Sequence, residues 1–97
     1  MDQTVTVQGR ITVSNSGAMR TALANALRAK PATVSVDLSN VSYLDTSGLA
    51  TLIEAVRIAR NQSTRLILSG MHAQPRYFLE ITHLDRLFEI TRQEASR

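Results

Sequence analysis

Asp45, Thr46 and Ser47 stand together, followed by Gly48 and by apolar residues at helical spacing, Leu49, Leu52, Ile53 and Val56. A carboxylate and two hydroxyls at the opening of a helix can do two things. As caps, they satisfy N–H groups that have no intrahelical partner, and a lost hydroxyl cap costs about 1 kcal/mol. As an acceptor of phosphate, one hydroxyl would take on a charge of about −1.5 to −2. A helix N-terminus welcomes an anion through its dipole and its free N–H groups. Phosphate at this place is therefore expected to leave the helix intact and to act at the surface, on a partner, beside the charge Asp45 already carries. Composition and spacing alone leave both readings open.

Other chemistries find little footing. There is no cysteine, and His72 and His83 lie eleven positions apart without ligand-like spacing, so no metal site is expected. Ser47 is not in a G-x-S-x-G elbow, and neither G-x-G-x-x-G nor a P-loop pattern occurs, so neither an enzyme nor a cofactor is expected. The net charge of +3 rests on arginines scattered from Arg10 to Arg97, with 4% aromatic residues and no RNP-like pattern. Direct nucleic-acid binding is not expected from such a distribution. The start, MDQTVTVQGR, has no leader character, and no apolar run approaches the ~18 residues of a membrane span. The expectation is a cytoplasmic protein that does not insert into membrane.

The elements that position the Asp45–Gly48 segment follow from periodicity. Thr4–Gln8 alternates as a strand, Gly9 interrupts it, and Ile11 and Val13 resume it. Ser14-Asn15-Ser16-Gly17 reads as a turn and cap, and Met19, Leu23, Ala26 and Leu27 mark a helix through Arg28 that Lys30-Pro31 stops. Val34, Val36 and Leu38 form a strand with Ser35 and Asp37 on its other face, then Ser39-Asn40 reads as a turn. The helix after Gly48 is expected to end near Arg60-Asn61-Gln62, and Arg65–Ser69 is a strand closed by Gly70. Pro75 suits the first turn of a short helix from Arg76 to Ile81. Leu84, Leu87, Phe88 and Ile90 form an apolar segment of open type, and the polar tail from Gln93 to Arg97 is expected to fray. The sum is one α/β domain over residues 1–97, with right-handed parallel crossovers in a mixed sheet of about four strands and helices mainly on one face.

The run Val36-Asp37-Leu38-Ser39 through Asp45-Thr46-Ser47-Gly48-Leu49 resembles the signature of STAS domains of the anti-sigma factor antagonist type. The likeness continues in Gly9-Arg10-Ile11, in Arg65–Gly70 and in His83–Phe88. It implies a phosphorylation-switched binding module. The module holds a serine kinase that doubles as an anti-sigma factor, the kinase phosphorylates Ser47 (Thr46 being the alternative acceptor), and a serine phosphatase restores the free hydroxyl. Asp45, Thr46, Gly48 and Leu49 would then touch the partner. On the helix face Ala50, Glu54, Arg57 and Ile58, a solvated surface with a Glu54–Arg57 pair competes with a docking surface using Glu54 and Ile58. A second branch of the same family resembles this chain as well: STAS subunits that dock on the ATPase of a phospholipid-transporting ABC complex, where threonine follows the motif aspartate as Thr46 does here. Thr12 stands where antagonists often carry an acid, and the family's first strand is missing or very short. The sheet edge so exposed leaves a homodimer open.

Overall fold

A computed structural model describes residues 2–91. In chain order it comprises β1 (Asp2–Ile11), α1 (Ser16–Arg28), β2 (Thr33–Leu44), α2 (Thr46–Asn61), β3 (Arg65–Ser69), α3 (Ala73–Ile81), a 3-10 turn (Asp85–Leu87) and β4 (Glu89–Thr91). The four strands form one sheet in the order β1-β2-β3-β4. The expected four-stranded α/β domain is present, but its sheet is parallel in every described pairing rather than mixed. β1, β2 and β3 are each followed by a helical crossover instead of a hairpin, and a crossover returns the chain in the same direction.

Alternation along the strands decides which face is covered. Val5, Val7, Val34, Val36, Leu38, Leu66 and Leu68 are buried. On the opposite face Thr4 and Thr6 are exposed and Ser35, Asp37, Ile67 and Ser69 half-buried. The helices accordingly cover mainly one face, with Leu23 and Leu27 of α1, Leu52 and Val56 of α2 and Leu79 of α3 in the core. Leu49 joins them, and Ile53 packs half-buried against the same cluster.

Two expected breaks are absent. Gly9 does not interrupt β1. It takes φ +83, a conformation natural to glycine, and the strand runs on to Ile11 with shifts of register on either side. Val13 lies outside the strand it was expected to resume. Ser39-Asn40 is likewise no turn, because β1 keeps pairing there, Gln8 with Asn40 and Gly9 with Val41, and carries β2 to Leu44. The apolar C-terminal segment resolves into the 3-10 turn and β4, the fourth strand. Helix α3 begins at Ala73, three residues earlier than expected, with Pro75 in its first turn. The expectation for Gln93–Arg97 falls outside the described residues.

Candidate functional site

β2 delivers Leu44 and α2 opens at Thr46, so Asp45 is the hinge between them and the N-cap of α2. Its backbone is extended (φ −99, ψ −173), and its own N–H donates to Ile11 O at 3.0 Å, which ties it to the end of β1. One carboxylate oxygen, Oδ1, accepts from Ser47 N at 2.8 Å, from Gly48 N at 3.2 Å and from the Ser47 hydroxyl at 2.6 Å. The other, Oδ2, accepts from Val13 N at 3.2 Å in the loop between β1 and α1. The Ser47 hydroxyl, followed by the backbone donors, holds the Asp45 carboxyl below its ordinary value of 3.8, because each donor favours the charged form.

Ser47 is half-buried and Thr46 exposed. The Ser47 carbonyl accepts from the Thr51 hydroxyl at 2.9 Å one turn on. Of the residues expected to touch a partner, Gly48 and Leu49 are buried, Leu49 with 5% exposure. Gly48 is there for space. A Cβ on it would stand 2.5 Å from Leu44 Cδ1 and 2.9 Å from Ile11 Cγ2, so the helix can start directly against β1 and β2 only without a side chain. Glu54 is exposed, but its ion pair is with Arg20 of α1 at 3.4 Å; the expected Glu54–Arg57 pair is replaced because α1 lies alongside α2. Ile58 is 38% exposed and lines a surface with Ala50, Ile53, Glu54, Arg57 and Asn61. The two ends of this helix face, Asp45–Ser47 and Ile58, sit about three turns apart on one helix.

Sequence reasoning passed over two side chains that hold this end of the sheet. β3 pairs with β2 only as far as Asp37, so the rest of that β2 edge has no strand beside it. Gln74 of α3 takes the place of one: its Oε1 accepts from Leu44 N at 2.8 Å and its Nε2 donates to Leu44 O at 3.1 Å. His72 Nε2 meets Ser39 O at 2.6 Å. No local signal marks Gln74, since its partner is thirty residues away. The Asn15 side chain likewise locks the loop beside Asp45, accepting from Thr12 N at 2.9 Å and donating to Arg10 O at 2.8 Å. Among the described residues no three of His, Asp and Glu gather where they could hold a metal ion.

The arrangement offers a hydroxyl at a helix N-terminus, beside a carboxylate, at the strand ends where α/β folds present functional residues. As a nucleophile, Ser47 is poorly served, because the group facing its hydroxyl is a carboxylate of lowered pKa and so a weak base.

A family model described as Mlab, STAS domain, matches residues 1–90. Over 60 residues the chain is 33% identical to the anti-sigma-B factor antagonists of Listeria monocytogenes and Listeria innocua, a stretch that covers 62% of this chain and 53% of each relative. The match thus spans about half the length of those curated relatives. Among solved structures, an anti-sigma factor antagonist from Mycobacterium paratuberculosis superposes with a TM-score of 0.81 at 23% identity, covering 90% of this chain and 74% of that one. A putative anti-sigma factor antagonist from Thermotoga maritima gives 0.80 at 16% identity over 95% and 80% of the two chains. A sulfate transporter family protein from Wolinella succinogenes gives 0.78 at 16%, over 92% and 75%. At such identities the likeness in structure is one of fold.

Proposed function

The chain belongs to the STAS domain family, and from that membership and the geometry at Asp45 we propose that it is an anti-sigma factor antagonist switched by phosphorylation of Ser47. With Ser47 unmodified the protein binds an anti-sigma factor that is also a serine kinase, and so frees a sigma factor. In the modifying step Ser47 Oγ forms a bond to the γ-phosphorus of the kinase's nucleoside triphosphate. The bond from that phosphorus to the β–γ bridging oxygen breaks, the diphosphate leaves, and the hydroxyl proton passes to a base of the kinase. A serine phosphatase reverses the step by hydrolysis. The protein is a binding module rather than an enzyme, and a cytoplasmic setting goes with that role. No described helix is long and apolar enough to cross a membrane.

The observation that carries this reading is the position of Ser47: a half-buried hydroxyl at the N-terminus of α2, 2.6 Å from Asp45 and beside exposed Thr46. Phosphate at this place meets helix N–H groups that accommodate an anion, so the folded chain tolerates it. The penalty falls in the complex, where like charges brought together at an interface cost several kcal/mol. Ser47→Asp should weaken partner binding at least about tenfold, equivalent to ~1.4 kcal/mol, with a melting temperature that stays near that of the parent. Incubating the protein with candidate kinases and ATP, then mapping phosphate by mass spectrometry, tests the acceptor. Phosphate on Ser47 that disappears in Ser47→Ala supports the proposal. Phosphate that survives there but is lost in Thr46→Ala moves the acceptor to Thr46. Equal partner affinity of Ser47→Asp and the parent, together with co-purification of an ABC ATPase, would replace the switch by the transporter-subunit reading.

A further inference from the structure

Val13 is 78% exposed, more than any other large apolar residue described, yet the loop that carries it is fastened from several sides. Asn15 N and Ser16 N donate to Thr12 O at 3.0 and 2.8 Å, and the Asn15 side chain bridges Thr12 N and Arg10 O. Val13 N itself donates to Asp45 Oδ2 at 3.2 Å, across 32 residues of chain. A lone exposed valine needs no explanation. An exposed valine held in place by hydrogen bonds, next to a modifiable serine, is different, because a contact ordered before binding loses less entropy on binding.

We propose that Val13 is a partner-contact residue, that Asp45 is the positioning residue that presents it, and that phosphorylation of Ser47 withdraws it. The proposal rests on the phosphorylation reading above and adds what the phosphate does to the surface. A single carboxylate serves both sides. Its Oδ1 takes the Ser47 hydroxyl and the N–H groups of Ser47 and Gly48, while its Oδ2 takes Val13 N. Phosphorylation replaces the hydroxyl hydrogen by a phosphoryl group, so the donor 2.6 Å from the carboxylate is lost and a charge of about −1.5 to −2 arrives beside it. The phosphate also competes for the N–H groups at the head of α2. Asp45 is driven from both directions to turn away, and Val13 N then loses its acceptor. The switch thereby reaches the β1–α1 loop as well as the helix end. The partner it fits is a protein with a small apolar socket for Val13 next to the group that receives the unmodified Ser47 region.

Asp45→Asn separates the two halves of the carboxylate. Its amide oxygen takes the Oδ1 place, where three donors converge, and its NH2 then opposes Val13 N–H. Nuclear magnetic resonance of the Val13 amide needs no partner. In protein with phosphoserine incorporated at position 47 during translation, and in Asp45→Asn, the Val13 amide proton should move upfield and exchange faster. Thr46→Ala should leave it where it is. The same Val13 amide shift in phosphoserine protein and parent overturns the coupling. With the purified serine kinase–anti-sigma factor of the same organism as probe, Val13→Ser and Asp45→Asn should each weaken binding about fivefold or more while Ser47 stays unmodified, the loss that sets contributing interface residues apart from near-neutral ones. Undiminished affinity of Val13→Ser overturns the contact. If that kinase fails to bind even the parent protein, the functional reading is what has failed, and the resonance comparison decides the coupling alone.

Discussion

Protonating Asp45 removes an acceptor that the Ser47 hydroxyl, two helix N–H groups and Val13 N all share. Those donors lower its pKa in the folded state, and Asp37 is lowered in the same way, first by the Ser39 hydroxyl and then by Ser39 N. A carboxylate whose folded pKa lies below its unfolded value contributes stability that is complete above the unfolded value and is lost as pH falls through the folded one. Melting temperatures should therefore be level through about pH 5 to 8 and should drop below the ordinary carboxylate value of 3.8. Asp45→Asn should make that acid limb shallower; a limb of unaltered steepness would mean that the cap carries no linkage. Ser47→Ala, by contrast, should change stability by no more than about 1 kcal/mol in denaturant titration, since the backbone caps remain.

At the scale of elements, the junction of β2 with α2 depends on close packing of buried atoms and on one side-chain clamp. Gly48→Ala improves intrinsic helix propensity by about 1 kcal/mol, yet it forces a methyl against Leu44 and Ile11, which are 1% and 3% exposed and cannot retreat. Overpacking of this kind typically costs ~1–3 kcal/mol, so the variant should be no more stable than the parent and is expected to be less so, with the start of α2 displaced. Chemical denaturation settles the sign. Gln74→Ala leaves Leu44 N and O without their side-chain partner and should destabilise by about 1–3 kcal/mol. Its effect should also show as faster amide exchange at Leu44, next to the cap.

Over the whole molecule, one core joins sheet and helices, and the described part should unfold as a unit, in a single transition. Leu52, fully buried in that core, should cost ~2–5 kcal/mol on replacement by alanine. Arg20→Ala, which breaks an ion pair between side chains that are 58% and 52% exposed, should cost less than about 1 kcal/mol. A ranking in which the surface pair outweighs Leu52 would contradict the placement of α1 and α2 on the sheet.

The periodicity of Val34, Val36 and Leu38, of Met19, Leu23 and Leu27, and of Leu49, Leu52 and Val56 made the strand and helix identities legible, because burial on one face imposes a repeat that sequence carries locally. The order Asp45-Thr46-Ser47-Gly48 likewise marked the head of α2, since capping acts between neighbours in the chain. Long-range pairing was not legible. Whether Gly9 and Ser39-Asn40 end a strand depends on a partner strand accommodating the irregularity, and β1 and β2 accommodate each other through shifted register. The Glu54–Arg20 pair in place of Glu54–Arg57, the clamp of Gln74 on Leu44 and the bond from Val13 to Asp45 all join residues far apart in sequence. Sequence by itself determined which residues form the hydroxyl-bearing helix start. Tertiary structure decided what that start is fastened to, because a hydrogen bond across 32 residues depends on the packing of the whole sheet and leaves no periodic trace in the chain.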